Sequence, residues 1–162
     1  LYSSSSDNTV TGNTCNNNSN HGIRLSLSSN NTVTSNTYNN NNYSIYLSSS
    51  SNNTVTGNTC NNSNYGIRLY SSSSDNTVTG NTCNNTATGI YLSSSSNNTV
   101  TGNTCIRGTG QTSDYTLSQY TILLAGSSNN YNLISSNNCM GKAVVIGGGT
   151  GNTLVNNKFD AS

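Results

Sequence analysis

The sequence predicts an all-β fold, a right-handed parallel β-helix (solenoid) of about seven rungs, with 22–23 residues and three short strands in each rung. Three observations predict it. One phrase recurs at nearly constant spacing, two Asn columns run through every repeat without exception, and the apolar residues do not follow a helical period. A chain of 162 residues is enough for one domain, so we expect a single β-helix domain over residues 1–162.

The first strand of each rung comes from the phrase Asn-Thr-Val-Thr-Gly-Asn-Thr-Cys. Its central apolar column contains Val10, Val33, Val55, Val78, Val100, Ile134 and Leu154. The two Asn columns that flank it contain Asn8, Asn31, Asn53, Asn76, Asn98, Asn132 and Asn152, and Asn13, Asn36, Asn58, Asn81, Asn103, Asn137 and Asn157. Because identical residues stack on one another in neighbouring rungs, we expect the Asn side chains to form inward hydrogen-bonded ladders.

Two further apolar positions supply the second and third strands. The second column contains Cys15, Tyr38, Cys60, Cys83, Cys105, Cys139 and Phe159. The third consists of the pairs Ile23/Leu25, Ile45/Leu47, Ile67/Leu69, Ile90/Leu92, Ile122/Leu124 and Val144/Ile146. The Ile-x-Leu pairs alternate as strands do and Thr-Val-Thr is β-prone, whereas Asn, Ser and Thr compete with helical hydrogen bonds. With strands stacked ~4.8 Å apart, seven rungs give a rod on the order of 34 Å long.

The composition excludes several classes of function. The formal net charge is +1, so no basic surface for nucleic acid is expected, and no apolar stretch is long enough to span a membrane. One His and four Asp leave little material for acid–base chemistry, and Asp7 and Asp75 are three rungs, or roughly 14 Å, apart. Because hydrolases of this architecture need paired carboxylates, we predict that the chain is not an enzyme and needs no cofactor.

The repeat residues resemble those of the NosD-type β-helix repeat family over nearly the whole chain. The resemblance is carried by Asn8-Thr-Val10-Thr-Gly-Asn13, then Gly22-Ile23-Arg-Leu25, Ser28 and Asn31. Such repeats occur in surface and sheath-like proteins of methanogenic archaea and in periplasmic copper-maturation proteins. The resemblance implies the fold and an extracellular or cell-surface location. Since only scaffold residues match, it implies no active site.

The uniform repeats favour a non-catalytic structural module, a rod in a surface layer, sheath, filament or adhesin. The chain begins inside a rung at Leu1, and open strand edges invite pairing. We therefore expect a fragment or subunit of a longer or assembled structure, with self-association or neighbouring surface subunits as partners. Two alternatives stay open: an ice-binding protein, and a carbohydrate-binding or carbohydrate-active β-helix with glycan partners.

Ice binding would use outward threonines, which resemble the Thr-x-Thr faces of insect antifreeze proteins. The paired columns are Thr9/Thr11, Thr32/Thr34, Thr54/Thr56, Thr77/Thr79 and Thr99/Thr101. The alternative is that Thr suits exposed strands and stacks well on itself.

A second outward column lies between Ile and Leu of the third strand. It runs Arg24, Tyr46, Arg68, Tyr91, Leu123 and Val145. Guanidinium groups stacked on rings could bind a sugar or a partner, or they could only space charges and cover strand edges. His21 is expected to lie solvated in a turn.

Neighbouring members of the Cys column are within disulfide range, so Cys60–Cys83 or Cys83–Cys105 could form. The alternative is a ladder of buried free thiols, and the absence of Cys-x-x-Cys spacing argues against a metal.

One segment, residues 106–120, departs from the repeat as a loop insertion. Arg107, Asp114 and Tyr115 give it sugar-compatible chemistry, and a plain surface excursion is the alternative.

Overall fold

A computed structural model describes residues 1–107, 120–140 and 144–159. Within these residues the chain is a parallel β-solenoid of twenty strands in three sheets, and no residue of them is helical. The predicted fold class is confirmed. None of these residues belongs to a helix long and apolar enough to cross a membrane.

The first sheet, here called the valine sheet, has seven short strands. They are β1 (Thr9–Thr11), β4 (Thr32–Thr34), β7 (Thr54–Thr56), β10 (Thr77–Thr79), β13 (Thr99–Thr101), β16 (Leu133–Ser135) and β19 (Thr153–Val155). The second, the cysteine sheet, also has seven. They are β2 (Thr14–Asn16), β5 (Thr37–Asn39), β8 (Thr59–Asn61), β11 (Thr82–Thr86), β14 (Thr104–Arg107), β17 (Asn138–Met140) and β20 (Lys158–Phe159).

The third sheet, the tyrosine sheet, has six strands. They are β3 (His21–Ser26), β6 (Tyr43–Ser48), β9 (Tyr65–Tyr70), β12 (Thr88–Ser93), β15 (Tyr120–Ala125) and β18 (Val145–Ile146). Five of them have six residues, against three in most strands of the other sheets. The tyrosine sheet is therefore the broadest face of the solenoid.

Each strand pairs with its counterpart in the next rung, so like residues stack on like. Val55 pairs with Val78, Cys60 with Cys83, and Ile67 with Ile90. The register shifts between Asn84 and Thr86, where β11 pairs with β14. The repeat spacing thus sets the pairing register, because a rung displaced by one residue would turn its apolar side chains outward.

The core is a narrow column of apolar side chains enclosed by the three sheets. Val55, Cys60 and Leu69 of one rung are all 0% exposed. Tyr38 is also 0% exposed, although it stands in a column of small cysteines. Its ring fits because the facing residue is Gly22, where an added Cβ would lie 2.6 Å from Tyr38 Cδ1.

The Asn columns form two continuous ladders on the inside of the solenoid. Asn58 is 1% exposed, and its Nδ2 donates to Asn81 Oδ1 in the next rung at 3.0 Å. The backbone N–H of Asn58 donates to the same oxygen, also at 3.0 Å. Each ladder Asn therefore satisfies backbone groups as well as its neighbour, which lets so polar a chain have a dry interior.

The cysteines are free thiols in the structure described, and the disulfide alternative stays a prediction. Cys60, Cys83 and Cys105 are buried free thiols, and each is 0% exposed. They pack as small apolar side chains along the cysteine sheet.

The insertion is shorter in the structure than its predicted bounds. Ile106 and Arg107 belong to β14, and Tyr120 begins β15. Residues 108–119 lie outside the described residues, and with them Asp114 and Tyr115; the side chain of Arg107 is likewise not described.

Candidate functional site

The outward side of the tyrosine sheet gathers rings and cations from four neighbouring strands, β3, β6, β9 and β12. We call this surface the aromatic face. It consists of His21, Arg24, Tyr43, Tyr46, Tyr65, Arg68, Tyr70 and Tyr91. Most of these side chains are half-buried, while Arg24 and Tyr70 are exposed.

Strand pairing positions the face. Arg24 pairs with Tyr46, Tyr46 with Arg68, and Arg68 with Tyr91. The Ile and Leu on either side of this position point inward, so the residue between them points outward. His21, Tyr43 and Tyr65 begin their strands and pair with one another to form a second column.

The second column is a stack of rings at the strand spacing. The centroids of His21 and Tyr43 are 5.2 Å apart with planes at 21°, and those of Tyr43 and Tyr65 are 5.1 Å apart at 15°. Tyr46 joins the two columns, since its centroid lies 4.8 Å from that of His21. These separations are typical of stabilising aromatic pairs, so the face is a continuous surface of rings.

Arg68 lies at the centre of this surface. Its guanidinium carbon is 4.6 Å from the ring centroid of Tyr70, 5.1 Å from that of Tyr91 and 5.2 Å from that of Tyr43. The rings of Tyr65 and Tyr46 complete the set at 5.3 and 5.5 Å. Arg68 Nη1 donates to the Tyr43 hydroxyl at 2.9 Å. Contacts with five rings and this hydrogen bond fix the guanidinium in place.

The face has two other basic side chains, Arg24 and His21. Arg24 is exposed, and its guanidinium carbon lies 5.8 Å from the centroid of Tyr46. Burial, and then the charges of Arg24 and Arg68, lower the pKa of His21 below its usual value. The His21 imidazole is therefore neutral at pH 7, and the positive charge of the face comes from the two arginines.

The sequence located part of this face and missed the rest. Arg24, Tyr46, Arg68 and Tyr91 were candidates, and the guanidinium groups do lie over rings. His21 was expected to lie solvated in a turn; instead it begins β3 and stacks on Tyr43.

Tyr43, Tyr65 and Tyr70 were not candidates. The signal that could have found the first two is their place two residues before the inward Ile of each rung. Beyond Tyr91, the half-buried Leu123 and Val145 continue the column without aromatic or charged side chains.

The threonine pairs occupy a different face. Thr54 pairs with Thr77 and Thr56 with Thr79 on the outside of the valine sheet. The same in-register pairing runs from β1 to β13, and Leu133 and Ser135 interrupt the array at β16. The array is regular, but the described structure adds no further feature that points to a ligand.

The described residues offer no evident metal ligand set. Among them, no group of three or more His, Cys, Asp or Glu side chains could hold a metal ion. Burial, and then the neighbouring Cys83, raise the pKa of Cys60 well above its usual value, so this thiol stays protonated at neutral pH. Thiolate, rather than thiol, is the metal ligand and the nucleophile.

We expect this burial to make Cys60, Cys83 and Cys105 unreactive in the folded protein. Cys15 is only half-buried and should be alkylated by a maleimide well before them. Mass spectrometry of peptides labelled at pH 8, with and without denaturant, measures the difference. Native labelling of Cys83 as fast as that of Cys15 would contradict the closed cysteine column.

Comparison with known proteins identifies a matching family and a solved structure with a similar fold. The model of the family described as "Periplasmic copper-binding protein (NosD)" matches residues 1–121 and 61–162. The chain is also similar to a crystal structure of a double mutant of the periplasmic alginate epimerase AlgG, with a TM-score of 0.61 and 20% identity. That match covers 92% of this chain and 39% of the epimerase chain, so this chain spans well under half of its length. No curated protein matches significantly.

The structural match corrects the prediction that the chain is not an enzyme. That prediction is wrong, because the fold shared over 92% of the chain is found in an enzyme that acts on a polysaccharide. The prediction rested on the absence of a carboxylate pair, which glycoside hydrolysis needs. Epimerisation inverts a carbon centre without cleaving the glycosidic bond, so a missing pair does not exclude chemistry on a glycan.

Proposed function

This chain belongs to the NosD family of periplasmic β-helix repeat proteins, and on that premise we propose that it is a cell-envelope protein that binds a polysaccharide through the aromatic face. The observation that carries the proposal is the set of six connected rings on one broad sheet, around a fixed guanidinium. The matching family and the epimerase of similar fold are both described as periplasmic, which supports a location in the cell envelope.

The shape and chemistry of the face suit a glycan chain. Sugar rings present C–H groups that pack on aromatic rings and hydroxyl groups that hydrogen-bond to phenols and guanidinium groups. Tyrosine supplies both kinds of contact with little loss of side-chain entropy, and Tyr and Arg are enriched where binding energy is concentrated. The rings span β3 to β12, which is three strand spacings or ~14 Å. That length accommodates several sugar units of an extended chain.

The likeness to AlgG supports the same proposal. The epimerase acts on alginate, and its fold is shared at 20% identity. A protein with a similar fold is therefore known to act on a polysaccharide. The choice of the aromatic face, however, rests on the rings and cations of this chain alone.

Copper, which the family description names, does not fit the described residues. Four of the five cysteines are buried free thiols in one column, burial raises the pKa of Cys60 well above its usual value, and the single histidine stacks on tyrosines of another sheet. Among the described residues, no three His, Cys, Asp or Glu side chains lie close enough together to hold a metal ion. Copper is therefore no part of the proposed function.

Three other predictions have no support beyond the repeat itself. Ice binding by the threonine array and self-association with neighbouring subunits both stay predictions. A role as a cell-surface rod, sheath or filament likewise stays a prediction.

Loss of rings from the aromatic face should weaken polysaccharide binding. We expect Tyr43→Ala and Tyr65→Ala each to lower affinity about 5- to 10-fold, because each removes a stacking surface worth about 1 kcal/mol. Affinity electrophoresis in gels containing a panel of neutral and acidic polysaccharides measures the effect, and thermal melting checks that each variant folds.

Thr54→Ala with Thr77→Ala is the matched control, since it alters an equally exposed column on the valine sheet. It should bind like the unmodified protein. Absence of binding to every polysaccharide, or an equal loss in the threonine control, would contradict the proposal.

A further inference from the structure

The aromatic face contains two arginines, and none of the eight residues that form it is acidic. Among the described residues the carboxylates are Asp7 and Asp75, and both lie in turns that lead into the valine sheet. Among the described residues, the Arg68 guanidinium contacts five tyrosine rings and donates a hydrogen bond to one phenol. The described groups that surround the positive charge of Arg68 are therefore uncharged.

We propose, on the basis of the proposed function, that the polysaccharide is acidic, and that its sugar carboxylates bind at Arg24 and Arg68 with the glycan chain running along the solenoid axis. The proposal names the substrate class of the aromatic face. It depends on the placement of the two arginines, on their surroundings and on the distance between them.

The surroundings of Arg68 favour an anion. Five rings displace water from around the guanidinium, and a charge in such a medium interacts more strongly with a counter-ion than it does in water. Because the rings already fix the side chain, little rotamer entropy remains to be lost on binding. Guanidinium also suits carboxylates, which it can bind through two parallel hydrogen bonds.

The spacing of the two cations gives the direction of the glycan. Arg24 and Arg68 occupy the same position on β3 and β9, with Tyr46 of β6 between them. Two strand spacings separate them by ~9.6 Å along the axis. This is comparable to the repeat of alternate units in an extended linear polyuronate, whose successive carboxylates point to opposite sides. A sugar unit between the two bound carboxylates would then lie over Tyr46.

The arginines should contribute differently. Arg68 is fixed, so it should determine the strength of the bound contact. Arg24 is exposed and has one ring beside it, so it should act mainly through longer-range attraction that salt screens. We therefore expect Arg68→Gln to weaken binding to an acidic glycan at least tenfold. Arg24→Gln should have a smaller effect and should reduce the salt dependence.

The test uses alginate, polygalacturonate and hyaluronate, each beside its carboxyl-reduced neutral form, with dextran sulfate as a second source of anionic charge. Affinity electrophoresis at low and moderate salt is run on the unmodified chain, Arg24→Gln, Arg68→Gln and Arg68→Lys. We expect binding to at least one of the carboxylated polymers and at least tenfold weaker binding to its reduced form. Arg68→Lys should restore only part of the affinity, because it returns the charge without the two-pronged hydrogen bonding.

Each other outcome overturns a defined statement. Equal binding of carboxylated and reduced forms would overturn the acidic substrate class and leave polysaccharide binding intact. Dextran sulfate bound as tightly as the best polyuronate would show that charge alone, and not the carboxylate, is recognised. No binding to any polymer would overturn both proposals. A loss in Arg68→Gln for the neutral form as well would assign Arg68 to support of the rings.

Discussion

Replacing Asn58 by Ala is expected to remove a large share of the stability of the solenoid. Asn58 Oδ1 accepts hydrogen bonds from the backbone N–H and the Nδ2 of Asn36 at 3.1 and 3.0 Å. Its Nδ2 donates to Val33 O, Thr56 O and Asn81 Oδ1 at 2.9, 3.0 and 3.0 Å. Alanine deletes all five bonds.

The loss is large because the groups left behind are buried. Asn36 N–H and Val33 C=O face the dry inside of the stack, and an unsatisfied buried group costs about 1–3 kcal/mol. Two or three such groups give a loss of about 2–9 kcal/mol, against a total stability of about 5–15 kcal/mol for a typical domain. Urea unfolding followed by circular dichroism measures the change in the free energy of unfolding.

Asn61→Ala is the matched control in the same rung. Asn61 lies on the outer side of β8, and its Nδ2 donates to Asn39 Oδ1 at 3.1 Å. That bond is half-exposed, so its loss should cost less than about 1 kcal/mol. If Asn58→Ala were no more destabilising than Asn61→Ala, the inward ladder would not be what stabilises the stack.

Asn58→Asp separates the shape of the side chain from its hydrogen-bond donors. The carboxylate would place an oxygen against Val33 O, Thr56 O and Asn81 Oδ1, where Nδ2 now donates. Burial and these carbonyls should raise the pKa of the new carboxyl in the folded state above its ordinary value of about 3.9. The folded state then holds the proton more tightly than the unfolded state. Stability should be greatest below about pH 4 and should fall as pH rises through the folded-state pKa.

The architecture could be predicted from the sequence because each rung repeats the same local choices. Two Asn columns and three apolar columns together determine the strand register, the number of strands in each rung and the side chains that line the interior. Parallel stacking then requires only that identical residues of neighbouring rungs pair. Tyr38 shows the limit of this logic. The neighbouring members of its column are cysteines, and the burial of its larger ring depends on Gly22 in another sheet.

The aromatic face was predicted only in part, for a physical reason. Strict strand alternation places the residue two positions before the inward Ile on the inside as well, which would bury Tyr43 and Tyr65. The structure breaks that alternation, since the intervening Gly66 faces the cysteine column and the tyrosine turns outward. The column that begins with His21 and Tyr43 is also hard to recognise when positions are counted from the valine of each rung. His21 is eleven residues after Val10, whereas Tyr43 is ten after Val33.

Gly66→Ala is therefore the second substitution from which we expect a large effect. A Cβ at this position would lie 2.5 Å from Gly89 O and 2.7 Å from Cys83 Sγ. The first contact is with the backbone of the next rung, which cannot move without disturbing the pairing of β9 with β12. Overpacking that forces the backbone to shift costs about 1–3 kcal/mol and occasionally more, and we expect this contact to lie at the upper end. Thermal and urea unfolding measure the cost.

Gly57→Ala is the control for glycine replacement as such. Gly57 has a φ of +61°, and an added Cβ would meet only Ser35 Oγ, at 3.9 Å. Its loss should be about 1–2 kcal/mol, the ordinary cost of a left-handed non-glycine residue. Combining Gly66→Ala with Cys83→Ala removes the contact with sulfur and leaves the contact with Gly89 O. We expect only partial recovery of stability from that pair.

The Gly66→Ala substitution also tests how the fold positions the aromatic face. Gly66 lies between Tyr65, which is on the aromatic face, and Ile67, which is in the core. If an added Cβ forces the strand away from the cysteine column, the Tyr65 ring must move from Tyr43 and from the guanidinium of Arg68. We therefore expect Gly66→Ala to weaken polysaccharide binding under conditions where the variant is still folded, whereas Gly57→Ala should not. Unchanged stability and unchanged binding in Gly66→Ala would mean that the inward glycine does not set the outward turn of the tyrosines.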